Sequence, residues 1–121
     1  MNLTEIFAIL IIHWFADFVL QTDKEAKGKS KNWSDLLSHT SFYSLFWLLC
    51  GIALFGVVGI SNAVVFTLIT FIAHTITDYY TSRLNSKLWA DGKVHSFFIS
   101  IGFDQVLHYV QLFTTYWILF K

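Results

Sequence analysis

The chain has 121 residues and no formal net charge, with 55% hydrophobic and only 13% charged residues. Soluble proteins carry about 45–50% apolar and about 25% charged residues, and a domain this small cannot hide the excess. The mean hydropathy of +0.57 agrees, so apolar surface is expected to face lipid, and the absence of a basic patch interleaved with aromatics excludes a nucleic-acid binder.

Four apolar stretches follow in order, at about residues 3–21, 35–58, 62–84 and 94–120. Each approaches or exceeds the roughly 20 residues of a membrane helix. The expected fold is therefore all-α, a polytopic up-down bundle of four transmembrane helices, as one domain over residues 1–121. No proline interrupts any stretch, so no proline kinks are expected. The opening residues lack the positive charge and small-residue cleavage site of a secretory leader, so the first stretch is expected to stay as a helix. Ser34 is the expected cap of the second helix, and Ser61 or Asn62 that of the third. Gly56 and Gly59 mark a tight turn, and Asp91-Gly92 another.

Residues 22–33 read as a hydrated loop carrying Lys24, Lys27, Lys29 and Lys31. With Arg83, Lys87 and Lys93, seven of the eight Lys and Arg residues fall on one side of the expected bundle, and only Lys121 falls on the other. By the positive-inside rule the basic side is cytoplasmic and both termini lie on the non-cytoplasmic side. Trp33, Trp89 and Trp117 stand where interfacial anchors belong. Cys50, the single cysteine, reads as a small core side chain.

The chemistry lies inside the greasy stretches. His13 and Asp17, His74 and Asp78, and Asp104 and His108 are spaced four apart, so each pair shares a helix face. His39 occupies the remaining stretch. Ionisable groups in a bilayer are costly and face a bundle interior where they have a task. In an up-down bundle all seven fall toward the cytoplasmic end. Polar stripes extend them: Asp35, His39 and Tyr43; Thr67, Thr70, His74, Thr77, Asp78 and Thr81; Asp104, His108, Gln111 and Thr115. Gln105 lies beside the last stripe, placed to orient a ligand or a water, and His95 faces away from it.

Imidazole and carboxylate suit Zn, Mn or Fe as divalent ions, and four-helix bundles build such sites from facing helices. His13, Asp17, His39, His74, Asp78, Asp104 and His108 are the candidate ligands for one or two ions. One aspartate, Asp17 or Asp104, would instead serve as general base in a metal-dependent hydrolase of a phosphoester or lipid-linked substrate. Two readings stand beside it. One is metal-ion or proton transport or sensing; the other is a structural or regulatory role in which the pairs only hold helices together. A homo-oligomer is compatible with all three.

His13-Trp-Phe-Ala-Asp17-Phe-Val-Leu-Gln21, Leu36-Leu-Ser-His39, His74-Thr-Ile-Thr-Asp78 and Phe103-Asp-Gln-Val-Leu-His108 resemble the domain of unknown function 3307 family of small bacterial and phage membrane proteins. The resemblance runs over nearly the whole chain and implies a four-helix protein of the bacterial inner membrane. Members carry a second histidine one turn after the helix-two histidine, where this chain has Tyr43. The layout is also similar, more loosely, to inner-membrane proteins described as metal-dependent hydrolases.

Overall fold

The computed structural model describes residues 1–121 as helices and short turns without strands. Helix α1 (Leu3–Trp14) opens with a capping box in which Asn2 and Glu5 satisfy each other's backbone N–H groups. It runs into a single π turn, Phe15–Val19, closed by the Leu20 N–H donating to the Phe15 carbonyl at 3.0 Å. Then come α2 (Asp23–Gly28), α3 (Trp33–Phe55), a 3-10 turn (Val57–Gly59), α4 (Ile60–Ala90) and α5 (Val94–Phe120).

Four expectations about local structure need correction. The 22–33 segment is not simply a hydrated loop, because Thr22 and Glu25 form a capping box that starts α2, and Glu25 is buried, accepting a 2.7 Å bond from Ser38. Helix α3 begins two residues early, capped by Asn32 rather than Ser34. Helix α4 begins at Ile60, behind Gly59 and without a side-chain cap, so neither Ser61 nor Asn62 performs that task. It also continues past residue 84 to Ala90. At 31 residues it is about 46 Å long, well beyond the roughly 30 Å of a bilayer core. Its polar last turns keep helical hydrogen bonding where the sequence suggested a connector.

Helix α4 packs along both α3 and α5, while α1 lies against α5 and reaches α3 through the π turn. At one end Glu5 pairs with Lys121 and accepts from the Tyr116 hydroxyl, and Asn62 bonds the Leu119 carbonyl. At the other, Ser86 on α4 donates to Ser30 after α2 at 2.8 Å. The chain therefore runs up and down. The α2 end gathers the close of the π turn, the start of α3, the end of α4 and the start of α5.

The interior is inverted relative to a soluble protein. Fourteen buried residues are polar or charged and nine are hydrophobic, whereas water-soluble folds bury apolar residues preferentially. Apolar side chains instead form exposed rows, such as Leu3, Phe7, Ile11, Trp14 and Phe18 along α1. Trp33, Trp89 and Trp117 are exposed, and Cys50 is half-buried. Two segments, Trp33–Phe55 and Val57–Ala90, are long and apolar enough to cross a membrane. The expectation of four such segments is met in only two. Helix α1 has 12 residues before the π turn, and the polar stripe of α5 lowers its hydropathy.

Helix α2 is held close to α3. A Cβ on Gly28 would collide with the Asp35 side chain, whose own Cβ would lie 2.9 Å away. That side chain is pinned by Asn32 Nδ2 at 2.8 Å and by Lys24 at 3.6 Å. Gly28→Ala is expected to cost about 1–3 kcal/mol, the range for forced overpacking, read as a lower thermal midpoint in detergent. An unchanged midpoint would show that α2 is not docked as described.

Candidate metal centre

All seven candidate ligands are buried. Within each helix the His/Asp spacing makes the expected pairs: His13 Nε2 to Asp17 Oδ2 at 3.6 Å, His74 Nε2 to Asp78 Oδ2 at 3.4 Å, and His108 Nε2 to Asp104 Oδ1 at 3.3 Å. Pairing across helices is tighter. His39 Nε2 lies 3.0 Å from Asp17 Oδ1 and 3.3 Å from Asp78 Oδ2. His74 Nε2 lies 3.4 Å from Asp17 Oδ1 and 3.2 Å from His39 Nε2.

Asp17, His39, His74 and Asp78 thus converge, with their ligand atoms all within 4.8 Å of one another. Three elements deliver them: the π turn, α3 and α4. Asp17, Asp104 and His108 form a second group of the same tightness, so Asp17 belongs to both. His108 Nε2 also meets Asp78 Oδ1 at 3.1 Å, which ties the two groups together.

His74 is the most constrained ring. It stacks on Tyr43 with centroids 3.9 Å apart and on His108 with centroids 4.2 Å apart. Its Nε2 points at the other three ligands, while its Nδ1 is buried without a hydrogen-bond partner. Buried polar atoms are nearly always paired. Only its Nε2 is committed, and it is committed to the cluster.

His13 stands outside both groups. Its Nδ1 meets the Tyr43 hydroxyl at 2.7 Å and its Nε2 meets Gln105 Oε1 at 2.7 Å. An amide oxygen only accepts, so Nε2 donates and Nδ1 accepts the tyrosine proton. Gln105 then turns its amide N–H groups to Asp104 Oδ2 at 3.1 Å and Asp17 Oδ2 at 3.4 Å. His13, Tyr43 and Gln105 form a brace that orients two of the carboxylates. Tyr43→Phe is expected to keep the stacking, lose the bond to His13, and cost about 1 kcal/mol of stability. Metal content should stay unchanged; a fall of the size expected for losing a ligand would place Tyr43 in the coordinating set.

Lys29 needs reassignment. The loop lysines read from sequence as topology determinants, but Lys29 folds inward and donates to Asp78 Oδ2 at 3.0 Å. Burial opposes its charge, and the Asp78, Asp17 and Asp104 carboxylates overcome that, holding its pKa above the ordinary lysine value. Thr81, from the polar stripe of α4, donates to Asp104 at 2.6 Å. His95 is exposed and remote from the cluster, as expected.

The model of the family described as "Protein of unknown function (DUF3307)" matches residues 6–121. The chain belongs to that family. No curated protein and no solved structure matches it. In this DUF3307 protein the match takes in every residue of both groups, together with Lys29, Tyr43 and Gln105. The buried His/Asp groups are positioned to hold a metal ion.

Proposed function

We propose that this protein is a four-span protein of the bacterial inner membrane that binds a divalent metal ion through Asp17, His39, His74 and Asp78 and hydrolyses a phosphoester or lipid-linked substrate beside it. One observation carries the metal reading. Five of the six distances among the four ligand atoms lie between 3.0 and 3.4 Å. A tetrahedron with metal–ligand bonds of about 2.0–2.1 Å has edges of about 3.3–3.4 Å. The donor set suits Zn, Mn or Fe. Charge supports it as well: three buried carboxylates face one ammonium, leaving two formal negative charges for a divalent cation to offset.

The four-span reading rests on the inverted interior and on the apolar rows facing outward along α1 and α5 as well as α3 and α4. Seven Lys and Arg residues at the α2 end support a cytoplasmic orientation for that end and for the metal site. Hydrolysis is favoured by what borders the centre. Asp17 and Asp104 line a cavity of about 530 Å³ open at the α2 end, so a substrate has a way in and a carboxylate is at hand as general base. A metal ion held by these four residues would supply an acidified water there by taking a fifth ligand on the cavity side. Transport is less well supported, because beyond the cluster the interior is mainly apolar, with a core of Ile9, Trp47, Phe66 and Leu112 and a second cavity of about 250 Å³, and offers an ion no continuous path of ligands.

Elemental analysis of protein purified without chelators tests the centre, with about one equivalent of Zn, Mn or Fe expected. Metal at background would remove it. A hydrolase assay on phosphoester and lipid-phosphate substrates, with and without EDTA, tests the activity. Metal-replete protein without EDTA-sensitive turnover would leave a binding protein and end the enzymatic reading.

A further inference from the structure

The cavity beside the metal groups has features that the ion alone does not use. Three side-chain atoms around it, Gln21 Oε1, Ser82 Oγ and Asn85 Oδ1, are buried and have no hydrogen-bond partner. Ser82 is itself only 7% exposed. Buried unsatisfied atoms are costly and rare, and three on residues lining one cavity leave bonds that a ligand there would complete after a small turn of these side chains. Ser82, Asn85, Ser86 and Trp89 follow helical spacing on the last turns of α4, which places them together on the cavity wall.

The wall's chemistry narrows the ligand. Its single cation, Lys29, is committed to Asp78. The remaining polar lining is hydroxyl and amide, with Asp17 and Asp104 at the metal-facing side. A second anionic group would meet carboxylates and no free cation. The unpaired amide oxygens of Gln21 and Asn85 call for a donor, and the unpaired Ser82 hydroxyl can also donate to an acceptor; a hydroxyl group meets both needs. An ammonium only donates. The apolar part of the lining includes Phe18, Phe97, Phe98 and Ile101, with Phe18 and Phe98 also exposed on the outer apolar surface. Such a wall suits a hydrocarbon chain attached to the polar group.

We infer that the cavity lined by Gln21, Ser82 and Asn85 binds the uncharged, hydroxyl-bearing headgroup of an amphipathic phosphodiester, with its phosphate toward the metal groups and its chain along the phenylalanines. This rests on the metal-hydrolase reading and names its substrate class. The headgroup is a glycerol- or sugar-like polyol.

The full chain in phosphatidylcholine nanodiscs is titrated with dihexanoylphosphatidylglycerol, dihexanoylphosphatidylethanolamine, dihexanoylphosphatidic acid and glycerol 3-phosphate. Saturation-transfer NMR reads the headgroup protons, and metal content is measured on the same samples. The phosphatidylglycerol probe is expected to bind at least about tenfold more tightly than the ethanolamine and acid probes, the equivalent of one well-made hydrogen bond or more. Ser82→Ala and Asn85→Leu, each made singly, are expected to reduce that advantage severalfold with metal content unchanged. Ser82→Ala removes one oxygen and no packing volume, so it preserves the fold. Equal affinity for the three lipids, or selectivity unaffected by both variants, overturns the headgroup assignment. Glycerol 3-phosphate binding as tightly as the lipid would support the polyol assignment and overturn the chain. Metal-replete protein without selectivity overturns this inference alone, and selectivity in metal-free protein overturns the metal centre alone.

Discussion

Protein carrying His74→Ala is expected to lose its bound divalent metal, while His95→Ala retains it. The two substitutions remove the same imidazole, one from the centre of the cluster and one from an exposed position. Losing a residue that merely orients a ligand costs about 10–100-fold in metal affinity, so losing a ligand is expected to cost at least about a hundredfold. His74 is the choice because its ring is held on both faces, by Tyr43 and by His108. No neighbouring histidine is free to swing into its place. Elemental analysis and a competition titration with a chromophoric chelator measure the loss. Equal metal in His74→Ala and the parent protein would remove the four-residue centre.

The second large effect concerns Lys29. Replacing it with Met leaves the chain length and removes the ammonium that faces Asp78 at 3.0 Å. Breaking one side of a buried pair leaves the other charge uncompensated, at a cost of about 3–5 kcal/mol. The Lys29 side chain is 20% exposed, so about 2–3 kcal/mol is the discounted expectation for the ion-free protein. Added metal works in the opposite direction. It binds the folded state and stabilises it by about 2.7 kcal/mol at a hundred times the dissociation constant. The Lys29→Met cluster is also one unit more negative and attracts a cation more strongly. Thermal midpoints in detergent should therefore drop in EDTA and largely recover in saturating metal, with a greater metal-induced rise than in the parent protein. A variant equally stable in EDTA would show that Lys29 does not compensate Asp78.

The residues that converge were visible in advance where they repeat with helical spacing inside apolar stretches. His74 and Asp78 face the cluster because the 3.6-residue period puts both on one face, and burial in an apolar setting leaves such groups one direction to point. His13 has the same spacing, yet it braces the cluster through Tyr43 and Gln105. Spacing states which way a side chain faces, not which neighbour reaches it first. Lys29 carried no periodic signal at all. Its role depends on α2 folding back over the site, and the sequence mark of that helix is the Thr22-x-x-Glu25 capping box. The reach of α4 to Ala90 was hidden because Arg83, Asn85 and Lys87 look like the polar end of a span. Polar composition marks where lipid would end and does not by itself end a helix.

The widened winding at Phe15–Val19 has a consequence for carboxylate aim. In regular α geometry, residues four apart are offset by about 40° around the axis. A turn that closes from i to i+5 takes fewer degrees per residue, so Asp17 swings back nearly beneath His13. From that azimuth both can grip the one amide of Gln105, and the free edge of Asp17 is left pointing at His39 and His74. A single surplus residue in the first helix thus serves as a sighting adjustment, rotating one acid onto its target without turning the rest of the rod.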